Sequence, residues 1–315
     1  MSVIEISNLT KKYGDIVAVD NISFKVEKGK ICGFLGPNGA GKTTTLNMIT
    51  GYISATGGEI KINGFDILKE PEAAKKQFGY LPELPPVYMD MTVGEYLKFA
   101  AQLKMIDKAN RAKAVEEAVE LAGLNEVKKR LIKNLSKGYR QRVGVAQAVL
   151  GMPELIILDE PTVGLDPGQI IEMREVIKKL GRNHTVIISS HILSEISEVC
   201  DQIFILSKGK IVADCSKDEL LNRAASTNLL EFEVKGSEKT VISELKKLNG
   251  IESFKTMMMG EVVSVKAQMK EGADIREELF YILAEAKLPI LSMKLNEQSL
   301  EDVFIQLTSE GKENK

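Results

Sequence analysis

Four short stretches of this sequence hold residue types that serve chemistry better than they serve a core. GPNGAGKT, Gly36 to Thr43, fits the spacing G-x-x-x-x-G-K-[ST] between a strand-like run, KICGFLG, and a helix-like run, TTTLNMITG. Glycines let the backbone of Gly36, Pro37, Asn38, Gly39, Ala40 and Gly41 wrap around phosphates with successive N–H groups inward. A helix N-terminus at Lys42, Thr43 and Thr44 adds a positive dipole end. In that reading Lys42 reaches the β- and γ-phosphates of a nucleotide and Thr43 ligates Mg2+. LIILDEP, Leu155 to Pro161, delivers two acids at the end of an apolar run: Asp159 to hold Mg2+ through water, Glu160 to polarise an attacking water as general base. The alternatives, a ligand-free glycine turn and a solvated acidic strand end, each lose weight beside the other motif. His191 follows TVIIS and precedes a helical run; a lone His serves structure as readily as catalysis, so its role depends on its neighbours. LSKGYRQR, Leu135 to Arg142, is polar and basic, has a helix-weakening Gly138, and offers three positive charges to no local partner.

These residues need elements to aim them. The first part of the chain alternates short β-branched runs with amphipathic segments, the pattern of an α/β domain. VIEISNLTKKY and ISFKVEKG read as early strands, EIKINGFDI as a hairpin around Asn63-Gly64, and LIILDEP, HTVIISSH and QIFILSKGKIVAD as later strands. Between Tyr80 and Ala122 a proline-rich loop leads into EYLKFAAQLK and RAKAVEEAVELAGL, a helical insertion. From Asn228 the chain restarts in βαββαβ order, the ferredoxin-like pattern, followed by a helix in SLEDVFIQLTSE. The expected organisation is an α/β domain over 1–222 with a helical subdomain near 84–150, a small α+β domain over 228–310, and a tail at 311–315.

The totals narrow the function classes. At 315 residues the chain can hold two cores. Lys plus Arg (42) nearly balances Asp plus Glu (44), so no net field recruits nucleic acid, and no nucleic-acid partner is expected. Three cysteines without metal-type spacing, and no cleavable leader, point to the cytosol. No run approaches the roughly 18 apolar residues needed to cross a bilayer, so a membrane role has to come through a partner.

The ordered set GPNGAGKTT, LSKGYRQR, LIILDEP, GLDP and His191 resembles the nucleotide-binding domain of ABC ATPases. The resemblance implies an ABC-type phosphate-loop fold, MgATP hydrolysis, and a head-to-tail dimer in which the segment LSKGYRQR meets ATP bound to the other protomer. Ser136 and Gly138 then contact the γ-phosphate in trans, with Lys137 and Tyr139 beside them, and Asp166 of GLDP lies at the dimer interface. Tyr13 matches the aromatic residue that stacks on adenine, although a strand tyrosine also serves packing. Three positions in two segments depart from the family pattern. Lys137 and Tyr139 replace a glycine and a glutamine, and Glu83 stands where a glutamine leads into the helical subdomain. A carboxylate at Glu83 can still ligate Mg2+ or hold water, at the cost of negative charge near phosphates.

GYLPELPPVY together with SLEDVF resembles, more narrowly, the separate-chain ATPase subunits of type-2 bacterial ABC exporters. This implies a homodimer bound to an integral membrane permease on the cytoplasmic face of the membrane. Pro82, Pro85 and Pro86 would form the docking loop, or else a rigid surface connector. A soluble ABC ATPase of translation or DNA repair is the alternative, as is a regulatory nucleotide-binding protein. One phosphate loop, no long heptad array and intact acids speak against them. Met257–Met259 and Lys128–Arg130 read as a hairpin edge and a solvated helix end.

Overall fold

The computed structural model describes residues 2–220, 228–270 and 272–297, together with Phe304, Ile305 and Thr308. These group into two compact units, one running to Lys217 and including Thr308, the other from Asp218. Thr308 therefore sits with the first unit and not with the small domain that its place in the sequence suggests; its carbonyl accepts a bond from the Ser207 hydroxyl. Most of SLEDVFIQLTSE lies outside the described residues.

The first unit is built on two sheets. Strands β1 (Ser2–Tyr13), β2 (Ile16–Glu27), β4 (Gly57–Ile62) and β5 (Phe65–Asp66) form an antiparallel sheet in the order β2-β1-β4-β5. Strands β3 (Ile31–Leu35), β6 (Phe78–Leu81), β7 (Leu155–Leu158), β8 (Thr185–Ser190), β9 (Gln202–Ser207) and β10 (Lys210–Ser216) form the second, ordered β10-β9-β3-β8-β7-β6. All but β10 run parallel. Parallel strands are covered on both faces, which is why ICGFL, LIIL and TVIISS are apolar or buried throughout. Phe24, Phe34 and Phe204 join the two sheets, with ring centroids 4.9 to 5.4 Å apart.

This strand order decides where chemistry can occur. β3, β8, β7 and β6 are parallel neighbours, with Leu35 beside Ser190, and Leu158 beside both Ile188 and Leu81. The segments that leave their C-terminal ends carry the phosphate loop, His191, Asp159-Glu160 and Glu83, so four separated parts of the sequence reach one sheet edge. Helix α1 (Lys42–Ile49) follows the phosphate loop, and α2 (Pro71–Lys75) precedes β6. Helices α3 (Val93–Leu103), α4 (Lys108–Leu121) and α5 (Lys137–Val149) make up the helical part. Thr92 and Glu95 start α3 with a reciprocal capping box, a feature worth about 1 kcal/mol. Helices α6 (Pro167–Gly181) and α7 (Leu193–Val199) flank β8.

The second unit contains β11 (Asn228–Lys235), α8 (Glu238–Leu245), β12 (Ile251–Met259), β13 (Val262–Met269), α9 (Arg276–Glu285) and β14 (Ile290–Glu297). Its antiparallel sheet runs β12-β13-β11-β14, the strand order of a ferredoxin-like motif. Leu230, Phe232 and Val234 of β11 pack with Val241, Leu245, Leu279 and Leu283 of the two helices.

Candidate active site

The phosphate loop wraps the N-terminus of α1. Gly41 caps that helix at φ 104°, where a Cβ would come within 2.7 Å of the Ala18 carbonyl, so the position needs glycine on two counts. Lys42 is only 5% exposed. Its ammonium donates to the Gly36 carbonyl at 2.8 Å and the Pro37 carbonyl at 3.4 Å, and lies 3.3 Å from Glu160 Oε1. These contacts keep a buried cation inside the loop without neutralising it permanently.

Asp159 is 1% exposed. Its Oδ1 accepts hydrogen bonds from Ser189 Oγ at 2.5 Å and Thr43 Oγ1 at 3.3 Å, while Oδ2 is buried with no partner among the described residues. Burial raises the Asp159 pKa above its ordinary value, and the negative charges of Glu160 and Glu83 push the same way. The two hydroxyl donors pull against that rise. A buried carboxylate oxygen with no donor, next to a threonine hydroxyl, fits a divalent cation or its water shell.

Glu160 takes a positive φ of 46°, rare outside glycine and costing of order 1 kcal/mol or more. Its N–H donates to Ser189 Oγ at 2.8 Å. Its two oxygens are held separately, Oε1 by Lys42 and Oε2 by His191 Nδ1 at 3.0 Å. Because a carboxylate only accepts, this contact assigns a proton to Nδ1 of His191. Lys42, Thr43, Thr44, Asn38 to Gly41, Glu83, Glu160 and His191 line one open cleft of about 400 Å³, closed on another side by Ile16, Val17 and Ala18.

Other sequence-nominated residues stand elsewhere. Tyr13 is 50% exposed, has the Lys11 ammonium 4.9 Å from its ring centroid, and is absent from the cleft lining. Ser136 caps α5, its Oγ accepting from the Tyr139 N–H at 3.3 Å. Gly138 packs against α6, where a Cβ would meet Gln169 Oε1 at 2.7 Å. Lys137 extends across Gly164, and the Tyr139 ring lies 4.2 Å from the Arg142 guanidinium carbon. Asp166 caps α6 through the Gln169 N–H at 2.9 Å. None of Ser136, Lys137, Gly138, Tyr139 or Asp166 lines the cleft.

The residue that sequence reasoning passed over is Ser189, whose single hydroxyl donates to Asp159 and accepts from the Glu160 N–H. The signal available was a serine pair immediately before His191 at the end of an apolar strand.

The family described as ABC transporter matches residues 19–163. The bacitracin transport ATP-binding protein BcrA of Bacillus licheniformis is 36% identical over 98% of this chain and 98% of its own length. The linearmycin resistance ATP-binding protein LnrL of Bacillus subtilis (strain 168) is 32% identical, covering 97% of this chain and 98% of its own. Among solved structures, an ATP-binding subunit of an ABC transporter superposes with TM-score 0.63 at 30% identity, over 70% of this chain and 93% of that one. The cbiO1 protein from Clostridium perfringens gives TM-score 0.64 at 25% identity, over 70% and 91%. With a phosphate loop, a paired-acid strand end and relatives matched along nearly their whole length, this chain belongs to the ABC transporter family as an ATP-binding subunit that couples ATP hydrolysis to transport.

Proposed function

We propose that the chain works as one half of a head-to-tail dimer that hydrolyses MgATP and drives export through a separate membrane permease. The observation that carries the reading is a division of labour within one chain. Lys42, Glu160 and His191 line the cleft, with Asp159 bonded to the lining residue Thr43, whereas Ser136 to Tyr139 present the start of α5 outside it. A second copy would bring its Ser136 hydroxyl and Gly138 N–H to the γ-phosphate held by the first, and Asp166 would lie where the copies meet. The expectation that Tyr13 stacks on adenine has no support from the cleft lining; Ile16 and Val17 are the residues that line it on that side.

Thr43 and Asp159, with Glu83 at the rim, would hold Mg2+, which when bound neutralises charge across the β- and γ-phosphates. The γ-phosphate competes with Glu160 for the Lys42 ammonium. As Lys42 turns to the phosphate, Oε1 of Glu160 becomes free to take a proton from water while that water's oxygen bonds to phosphorus and the bond to the β-phosphate oxygen breaks. His191 keeps the other carboxylate oxygen fixed during this exchange. Opening after hydrolysis would be passed through the loop at Glu83 and Pro82, Pro85 and Pro86 to the permease.

Relatives whose names specify bacitracin transport and linearmycin resistance support a transport role; export and a separate permease are the finer part of the proposal. Glu160→Gln tests the mechanism by gel filtration with and without MgATP. The expected outcome is preserved ATP binding, turnover reduced at least about 100-fold, and an ATP-dependent dimer. Wild-type turnover in that variant would remove Glu160 as base.

A further inference from the structure

We propose that Glu195 is a positioning residue for ATP hydrolysis, one that fixes where His191 meets Glu160; it rests on the reading of those two residues given above. Glu195 lies in the first turn of α7 and is 5% exposed. No cation pairs with it within ion-pair distance among the described residues, an expensive condition for a carboxylate that only packs. One oxygen, Oε2, does all the visible work. It accepts the Thr162 hydroxyl at 2.5 Å and the Ser190 hydroxyl at 2.8 Å. The Ser190 oxygen in turn accepts the Ile192 N–H at 3.0 Å.

These bonds bracket His191 on both sides. Ser190, which precedes it, donates to that carboxylate oxygen, and Ile192, which follows it, is tied to that oxygen only through the Ser190 hydroxyl. Thr162 lies two residues beyond Glu160, so that oxygen also anchors the segment carrying the base. The contact between His191 and Glu160, 3.0 Å long, spans 31 positions of sequence and joins two segments outside regular structure at those points. The paired strands β7 and β8 bring the two segments side by side, and beyond the strand ends side-chain ties hold the turns that carry the two groups. Ser189 fixes Asp159 and the Glu160 N–H, and Glu195 fixes the other two corners, Thr162 and the turn at His191.

A displacement of the order of 1 Å in a catalytic group costs about 100-fold in rate. Glu195→Ala is therefore expected to lower kcat about 10- to 100-fold while the affinity for MgATP stays within about 2-fold. Glu195→Gln, which keeps the length and an acceptor oxygen, is expected to recover most of that loss. The deciding measurement is a double-mutant cycle on the full chain, reading kcat, KM and equilibrium MgATP binding for His191→Ala, Glu195→Ala and the pair. If Glu195 acts through His191, the pair is no slower than His191→Ala alone. Should Glu195→Ala fail to fold, Ser190→Ala and Thr162→Val enter the same cycle in its place. Losses that multiply, or a loss seen only in KM, overturn the positioning role while leaving the catalytic reading of His191 intact. Wild-type turnover in His191→Ala would overturn that reading and the role of Glu195 together.

Discussion

Glu160 carries its carboxylate on a backbone that few non-glycine residues adopt, and the fold holds it there with the Ser189 hydroxyl, the Lys42 ammonium and the His191 ring. Its neighbour Asp159 is buried, with one oxygen that accepts no bond among the described residues. Because burial raises the Asp159 pKa, the ionised form costs the folded protein stability above the unfolded pKa, and protonation relieves that cost as pH falls through the folded value. The sign yields a test by thermal melting of the nucleotide-free protein. The melting temperature of Asp159→Asn minus that of wild type should be greater at about pH 8 than at about pH 5. A difference that is flat or grows toward acid would contradict the cost assigned to Asp159. At this scale the phosphate loop and the paired acids were legible because each is one contiguous run with a fixed spacing. Ser189 and Glu195 were not, since serine and glutamate have no distinctive pattern and the bonds that tie them to Glu160 and Thr162 span 29 and 33 positions.

Helices α5 and α6 meet at their N-termini, where Gly138 leaves room for the Gln169 side chain. In Gly138→Ala the new methyl meets the flexible end of that side chain, which can swing aside, while alanine's better helix propensity works the other way by about 0.5–1 kcal/mol. The expected result is a melting temperature changed by no more than a few degrees with MgATP binding retained. A much larger drop, restored in Gly138→Ala/Gln169→Ala, would mean that Gln169 is held rigidly against α5. The elements themselves were well signalled. Apolar runs became buried strands, and the Asn63-Gly64 and Lys208-Gly209 pairs turn hairpins with positive φ at all four residues. What the pattern could not convey was which sheet each strand joins. Residues 31–35 and 185–190 are neighbours only because the connections cross over, and that adjacency assembles the site.

Taken whole, the chain presents the cleft on one part of its first unit and the start of α5 on another, the separation on which the proposed two-chain site rests. No helix among the described residues is long and apolar enough to cross a membrane, and the partner proposed for transport is a separate permease. Affinity capture of the tagged chain from detergent-solubilised membranes should therefore recover a polytopic membrane protein. Recovery with ribosomes or DNA alone would contradict the transport role. The second unit's strand order was legible from the sequence, whereas its job was not, because a ferredoxin-like fold serves many functions. The shared site is the central claim, and cross-linking two distinguishable protomers tests it most directly. One carries Ser136→Cys and the other Asn38→Cys, both with Glu160→Gln, and they are mixed with MgATP under mild oxidation. A covalent dimer that forms only in the mixture and only with ATP is the predicted result; no such dimer, while both proteins still bind ATP, would contradict a site built from two chains.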